Sequence, residues 1–581
     1  MNMSNADVAD LLRNVATALT LKKSNQFQVR AYDNAADSIE HSTADIRDLW
    51  EEDKLDELPG IGKGLQEHLN ELFKTGKVKH FESLMAEFPK VIYTLIKVPG
   101  VGPKTAQELA ELGVKNLEDL EERLDKGTLV EAGFSAKIAE KIKLGVVEYK
   151  GLGNRILLPV AGEQAEKIVE YIKKDPNVTQ ADYLGSLRRR VVTVGDLDFA
   201  AATKDPEKTL HHFATMPGVK HVVSEGGYKA MVVLNNGMHV DLLVGEPESY
   251  GALLQHFTGG KNHNIHLRTL AEKKGFSLSE RGVKDLKTGK LKPIKEEKEL
   301  YTMLGMQTPD PELREDTGEI EAALKHQLPK LITLADIKGD MHLHSNFPME
   351  PSHGPGANKL EEIVEKAKSL KYEFVGLSDH SPGFTKNSKD KIIQLVETRT
   401  KYIHKIRKNT KSIRVLNGLE IDILTDGSLS VPDKALKTLD YCVAGVHSSH
   451  KMPKDQMTER ILKALSSPYV DIISHPTGRL LNQRQSYDAD WDKIFKFCAE
   501  HKKLLEVNAF PNRLDLRDDL IRQAKELGCK FIIDTDAHEI SQMDNMEYGV
   551  SLARRGWLEK EDVVNTWSWE KVKDWFNIDW K

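Results

Sequence analysis

The spacing of apolar positions changes several times along the chain, and each change marks a different architecture. Up to about residue 150 the pattern is helical and broken by glycine loops. Leu65, Leu69, Leu72 and Phe73 make an i, i+4, i+7, i+8 stripe. From 155 to 245 the runs shorten to strands. Met231–Leu234 and Met238–Val244 flank Asn235-Asn236-Gly237, and an Asn-Gly turn between apolar runs predicts a hairpin. Residues 250–305 mix helix and turn, with a Lys/Gly-rich, hairpin-like stretch near 284–292. Polar, proline-bearing sequence from Thr308 to Pro329 reads as a linker. Beyond it lie seven short apolar runs: Ile337–His344, Phe374–His380, Val415–Glu420, Tyr441–His447, Val470–His475, Leu504–Asn508 and Phe531–His538. Helical stretches such as Leu360, Ile363, Val364 and Ala367 separate them. Buried strands alternating with helices predict a parallel sheet, closed or doubly wound.

Those seven runs end in chemistry. In a closed β/α barrel the C-terminal strand ends converge on one face. His342, His344, His380, Glu420, His447, His475, Asp536 and His538 are thereby gathered into one mouth. Neutral imidazoles mixed with carboxylates suit several divalent transition metals. A lone histidine is usually a surface or core residue, but that reading does not explain one at nearly every strand end.

Composition narrows the class without deciding it. At 581 residues the chain is too long for one core and suggests about three to five domains. Hydrophobic content of 39% and charged content of 30% fit a globular protein, and no apolar stretch approaches a membrane span. The N-terminal residues lack the basic region and apolar core of a signal peptide. The three cysteines, Cys442, Cys498 and Cys529, suit neither a disulfide framework nor a zinc knuckle, so a reducing cytoplasm is expected. A net charge of −6 gives no global attraction to nucleic acid, so DNA binding must come from local amides and patches.

Two such local features stand in the helical region. Leu58-Pro-Gly-Ile-Gly62 and Val98-Pro-Gly-Val-Gly102 each precede a helical stripe. Paired glycines allow a tight turn whose amides point outward at the start of a helix, where they bind phosphate without reading bases. Gly60, Gly62, Lys63, Gly100, Gly102 and Lys104 are the candidate DNA contacts. The pattern looks like the helix–hairpin–helix of DNA repair proteins.

The strand region carries a second constellation. Gly185-Ser186-Leu187-Arg188-Arg189 precedes Gly195-Asp196-Leu197-Asp198-Phe199. A period of two puts Asp196 and Asp198 on one face, and Asp241 in the hairpin strand faces the right way to join them. Three such carboxylates can hold a pair of Mg²⁺ ions for in-line displacement at a phosphoryl group. Gly185 and Ser186 offer amide and hydroxyl donors for a triphosphate, and Arg188 can pair with it.

These residues resemble the nucleotidyltransferase palm of DNA polymerase family X, and the Gly185–Asp198 spacing is similar without a gap. Phe257-Thr258-Gly259-Gly260 looks like the Phe-Thr-Gly-Ser turn of that family, where the nucleotide sugar lies against the backbone. By the same resemblance His256 stands where a tyrosine is frequent, and Asn264 and Arg268 stand where the family contacts incoming nucleotide and template. The C-terminal part resembles the polymerase and histidinol phosphatase (PHP) domain carried by bacterial members.

The resemblance spans essentially the whole chain and implies a multidomain protein: helix–hairpin–helix domains at 1–85 and 86–153, an α+β palm at 154–245 and a nucleotide-selecting subdomain at 246–307. A linker at 308–334 and a distorted (β/α)7-type barrel at 335–581 complete it. It implies a DNA-directed DNA polymerase with 3′-5′ exonuclease, used in base excision repair, with incision at abasic sites as a further activity. Gapped or primer-template DNA and dNTPs are the implied partners, acted on by a monomer. The alternative is a PHP phosphoesterase whose N-terminal half only docks DNA.

It also assigns the barrel ligands. His342, His344, Glu420 and Asp536 would hold one ion, and Glu420 would bridge to a second with His447 and His475. His380 and His538 would hold a third, making up to three Mn²⁺ or Zn²⁺. The family usually supplies an aspartate after the paired histidines. Here Met349 stands in that register within His344-Ser-Asn-Phe-Pro-Met-Glu-Pro-Ser-His-Gly-Pro-Gly356, and Glu350 is the expected replacement, with His353 second. Arg479 and Asn508, near strand ends, are candidate phosphate clamps, with an ordinary surface role as the equal alternative. Some members form an imine with an abasic sugar through a lysine five positions past Lys63. Here that position is His68, which cannot form it, so no 5′-deoxyribose-phosphate lyase is expected.

Overall fold

The computed structural model describes residues 3, 5–40, 46–51, 55, 60–98, 100–135, 138–143, 145–146 and 155–580. The chain divides into two compact units, Met1–Gly153 and Asn154–Lys581.

The first unit is helical. Helices α1 (Asn5–Leu21) and α2 (Gln26–Glu40) pack against α3 (Lys63–Thr75), whose Leu65, Leu69 and Leu72 are buried as their spacing requires. The second hairpin leads into α4 (Pro103–Glu111), which buries Ala106 and Leu109. Gly60 and Gly100 adopt φ of +85° and +87°, values open to glycine and costly for other residues. Gly62 and Gly102 are the N-cap residues of α3 and α4, so first-turn amides emerge beside exposed Lys63 and Lys104. Leu58, Pro59 and Pro99 of the two motifs lie outside the described residues.

The second unit begins with a five-stranded sheet of β1 (Val178–Tyr183), β2 (Leu197–Thr203), β3 (Val219–Gly226), β4 (Lys229–Leu234) and β5 (His239–Gly245), in the order β1-β2-β5-β4-β3. The Asn-Gly hairpin is present as β4–β5. Leu197, Phe199 and Ala201 face the helices Leu158–Ile172 and Pro206–Ala214, while Ala200 and Ala202 pack on Tyr250 and Leu253. The second face therefore carries the even-numbered positions of β2, Asp198 among them. A one-turn helix, α5 (Gly185–Arg188), joins β1 toward β2.

Helices α6 (Tyr250–Thr258) and α7 (Lys261–Lys273) follow, with the small antiparallel sheet β6 (Phe276–Ser279), β7 (Gly282–Asp285) and β8 (Leu291–Lys292). The stretch expected to be a linker is instead folded into the unit, which corrects the reading of 308–334. Ile320 and Ala323 lie in the core of this subdomain. Arg314 is buried and pairs with Glu297, Glu319 Oε1 sits 2.6 Å from His263 Nδ1, and Glu312 Oε1 lies 2.8 Å from Arg554 Nε. The polarity that suggested solvent exposure is matched by buried partners far away in sequence.

Eight parallel strands build the C-terminal barrel: β9 (Gly339–Asp340), β10 (Phe374–Leu377), β11 (Arg414–Asn417), β12 (Glu420–Asp422), β13 (Val443–Gly445), β14 (Ile472–Ile473), β15 (Leu504–Asn508) and β16 (Lys530–Asp534). They form two sheets, β9 to β11 and β12 to β16, linked by parallel bridges at His380–Glu420 and Leu343–Ala537. The run Val415–Glu420 is two strands rather than one. The bend falls at Gly418, where a Cβ would stand 2.1 Å from the Tyr441 ring. Trp567, Trp569, Val572 and Phe576 close the barrel floor. Helix α8 (Met546–Arg555) packs beside β16. Among the described residues no helix is long and apolar enough to cross a membrane, and the three cysteines are buried and free.

Candidate functional sites

The palm site is built by strand register. Parallel pairing of β2 with β5 sets Asp198 beside Asp241, and Asp196 stands just ahead of β2, exposed. Burial and the charges of Asp196 and Asp241 push the Asp198 carboxyl up to about 6. Asp241 Oδ1 is buried without a hydrogen-bond partner, and Lys229 Nζ lies 2.5 Å from Oδ2. Crowded carboxylates with an orphaned oxygen are a donor set that a divalent cation fits. Gly185, at φ +57°, presses on them, for a Cβ there would meet Asp198 Oδ2 at 2.3 Å. Ser186 follows in the same turn, and Gly195 packs against Arg155, which a Cβ would approach to 3.1 Å.

Two expected contacts are otherwise engaged. Arg188 forms a two-pronged pair with Glu297, at 3.1 and 2.6 Å, and donates to Thr258 Oγ1. Asn264 donates its amide to His256 O at 2.8 Å and Gly259 O at 3.0 Å, which shapes the Phe257–Gly260 turn from within. Arg268 is exposed on α7, and His256 is half-buried with its ring 4.7 Å from Phe257.

The barrel mouth gathers all eight strand-end ligands. Glu420 is central: its Oε1 lies 3.1 Å from both His447 Nε2 and His475 Nε2, and its Oε2 lies 2.7 Å from His380 Nδ1 and 3.3 Å from His342 Nε2. His344 Nε2 approaches Asp536 Oδ1 at 3.0 Å, and its ring lies 4.1 Å from that of His538 and 4.3 Å from that of His380. Among the described residues four overlapping groups in the mouth could each hold an ion: His342, His344, Glu420 and Asp536; Glu420, His447 and His475; His344, His380 and His538; and His353, Asp422 and His447. His342 Nε2, His344 Nδ1, Glu420 Oε2 and His475 Nδ1 are buried with no hydrogen-bond partner, as metal donors would be without their ion. Burial and Arg513 push His475 down to about 3, and burial with His538 and His380 holds His344 well below the usual range. Both are therefore held neutral, the form in which an imidazole nitrogen can ligate. His475 and Asp536 have left-handed φ of +28° and +54°, strain of a kind that concentrates at functional sites.

Glu350 does not join them. Its carboxylate is 56% exposed and stands 3.6 Å from Lys391, while Met349 is buried in the core. His353, nine residues past His344, turns inward instead. Its Nε2 lies 2.9 Å from Asp422 Oδ1, which also accepts from His447 Nδ1 at 2.7 Å, and its ring is 5.0 Å from that of His380. Loop length, not register, decides which side chain enters. Glu350→Ala is therefore expected to keep hydrolysis within about twofold, as for an exposed site. His353→Ala should lower it about tenfold or more, as loss of a ligand's supporting partner does. Parallel rates with a model phosphodiester check both.

Arg479 and Asn508 are engaged within the fold. Arg479 donates to the carbonyls of Arg513 and Leu514, and Asn508 donates to Glu506 Oε2 and Asp536 Oδ2. Sequence reasoning missed Glu506, whose Oε1 lies 2.5 Å from His342 Nδ1, and Asp422, which orients His447. The signal was present: Glu506 sits two positions before the strand-end Asn508 and Asp422 two positions after Glu420, so alternation puts each on the same strand face as its neighbour.

A helical DNA-docking unit, a carboxylate-bearing palm and a metal-suited phosphoesterase barrel together define a polymerase of family X that carries a PHP domain. Comparison with known proteins agrees. The helix-hairpin-helix domain matches residues 3–78, the SAM-like helix-hairpin-helix tandem 92–146, the DNA polymerase beta thumb 253–315 and the PHP domain 340–510. The chain is 35% identical over 575 residues to the DNA polymerase/3′-5′ exonuclease PolX of Bacillus subtilis strain 168, covering 98% of this chain and 99% of that protein. A protein of Acetivibrio thermocellus named a probable phosphatase is 24% identical over 235 residues, 39% of this chain and 90% of the relative. Another from Thermoanaerobacter sp. strain X514 is 28% identical over 166 residues, 27% and 65% respectively. The chain belongs to the PolX family of DNA polymerase/3′-5′ exonucleases.

Proposed function

We propose that this chain is a DNA-directed DNA polymerase that fills short gaps during base excision repair and trims 3′ ends with its barrel. The observation that carries the polymerase half is the pairing of Asp198 with Asp241 directly beside the Gly185–Ser186 turn. Asp196, Asp198 and Asp241 would hold Mg²⁺. The barrel groups would hold up to three Mn²⁺ or Zn²⁺; His344 takes the place beside His380 and His538 first given to Glu350, and His353 stands with Asp422 and His447. When bound, such ions supply positive charge that stabilises the phosphoryl transition state and makes the attacking hydroxyl or water more acidic.

The side chains do the rest. The Gly185 amide and Ser186 hydroxyl orient the triphosphate, and the Phe257–Gly260 turn receives the sugar with His256 at its edge. Arg268, exposed on its helix with Nε donating to Asn264 O at 3.2 Å, meets the nascent pair. Gly60, Gly62, Lys63, Gly100, Gly102 and Lys104 bind DNA phosphates through amides and charge. In the barrel Glu420 holds two groups of imidazoles together, and Asp422 and Glu506 fix the tautomers of His447 and His342 through their Nδ1 atoms. The protein acts as a monomer on gapped or primer-template DNA in the cytoplasm. The two probable phosphatases match only 39% and 27% of this chain, against 98% for the polymerase/exonuclease, which favours the bifunctional reading over a phosphoesterase that merely docks DNA.

A gap-filling role is tested by extending one primer across gaps of one, five and twenty nucleotides. Preferential filling of the short gaps is expected, and equal rates on open template refute it. The lyase is expected to be absent. His68 lies 3.3 Å from the Tyr32 hydroxyl and 4.9 Å from the Phe81 ring, in a pocket with no amine of its own in these contacts. Borohydride should trap no covalent adduct with a 5′-deoxyribose-phosphate end. Efficient trapping would assign the imine to another amine, Lys63 first.

A further inference from the structure

The turns assigned above to the nucleotide are braced from behind by the barrel. Arg189 ends the Gly185–Arg188 turn, and its guanidinium reaches two ways: Nε lies 2.9 Å from Glu315 Oε1, and Nη1 donates to Thr258 O at 2.8 Å. The Gly-Ser turn is thus tied to the Phe257–Gly260 turn. Gly260 N donates to Arg314 O at 2.9 Å, and a Cβ on Gly260 would meet Glu315 Oε2 at 2.9 Å, so this turn also rests on the 314–315 segment.

Arg555, the last residue of α8 in the barrel, closes the arrangement. Its Nη1 donates to Arg189 O at 2.9 Å and lies 3.1 Å from Glu315 Oε1, while Nε donates to Asp518 Oδ2 at 2.8 Å. Only 9% of the side chain is exposed. The Arg189 carbonyl is one of those a short helix leaves without an internal partner, and a buried guanidinium satisfies it with a charge-assisted bond. On the other side of the same turn Gly185 touches Asp198. One end of a four-residue turn meets a catalytic carboxylate, and the other end is held by the barrel.

We propose that Arg555 is a positioning residue for the polymerase site: a guanidinium of the PHP domain that fixes the Gly-Ser turn, and through Arg189 the Phe257–Gly260 turn, in the register that receives the dNTP triphosphate. This rests on the nucleotidyl-transfer reading given above. The competing role is plain adhesion between barrel and palm. Adhesion would weaken the whole unit and lower both activities together, whereas positioning changes nucleotide affinity alone.

The full chain is tested as wild type, Arg555→Met and Arg555→Lys. Steady-state extension is followed against dNTP concentration, with hydrolysis of bis(p-nitrophenyl) phosphate and thermal unfolding measured on the same preparations. Arg555→Met should raise KM for dNTP about tenfold or more, with kcat within about threefold, because binding common to ground and transition states is lost. Its hydrolysis of the model diester should stay within about twofold of wild type. Arg555→Lys keeps the charge but cannot serve Glu315, Asp518 and Arg189 O together, and should fall between the two. An unchanged KM in the methionine variant overturns the proposal. So does a loss of extension matched by an equal loss of hydrolysis and a lowered Tm. A wild-type chain that extends no primer refutes the underlying reading instead.

Discussion

Asp241→Ala is expected to abolish dNTP incorporation while leaving the barrel's hydrolysis of phosphodiesters at the wild-type rate. The expected loss is about 10²–10³-fold in kcat, the usual consequence of removing one group that stabilises transition-state charge. Asp196→Ala should behave alike. The variants should fold, because burial first and repulsion by the neighbouring aspartates second already disfavour a charged Asp198 carboxyl, so losing one carboxylate removes no stabilising pair among the three. Removing Asp241 relieves that repulsion and frees Lys229, which is 43% exposed and readily hydrated. Loss of function without loss of stability separates a catalytic carboxylate from a structural one. Extension by either variant at the wild-type rate would remove the palm assignment, and thermal unfolding of the same samples would identify a fold defect.

His342→Ala combined with His344→Ala should remove 3′-5′ degradation and any incision at abasic sites, and spare extension on a gapped template. His344 belongs to two of the candidate groups and His342 to one, so the double change disrupts two positions at once. The imidazole of His342 leaves Glu506 behind, a buried carboxylate already raised by burial, which can take a proton rather than stay charged. The ties from barrel to palm through Arg555, and from Asn482 to Arg155 O, use neither histidine. Degradation by the double variant at the wild-type rate would place the hydrolytic centre elsewhere. Separability here comes from distinct side-chain sets, since the 308–334 segment is packed and supplies no independent hinge.

Much of this arrangement was legible in the sequence, for a physical reason. A buried strand has a period of two and ends where its apolar run ends, so Glu420, His447 and His475 could be placed at a common mouth without coordinates. The same period put Asp196 and Asp198 on one face and allowed Asp241 to join them. What could not be read were choices that depend on partners remote in sequence. Polar 308–334 resembled a linker because nothing local reveals that Glu312 meets Arg554, or that Glu319 meets His263. Arg188 looked free for phosphate until Glu297, more than a hundred residues later, was found against it. Glu350 was misplaced because extra residues break register: its carboxylate faces solvent beside Lys391, while His353 at the rim reaches Asp422.

The central claim is that one chain carries both a synthetic and a degradative phosphoryl-transfer site. The measurement that tests it most directly is a single gel assay of the wild-type chain on a 5′-labelled primer annealed to a longer template, with Mg²⁺ and Mn²⁺, in the presence and absence of dNTPs. The primer should lengthen when dNTPs are present and shorten from its 3′ end when they are withheld, and chelation of the metals should stop both. A primer that is neither lengthened nor shortened under any of these conditions, or one that lengthens equally without its complementary dNTP, would contradict the claim.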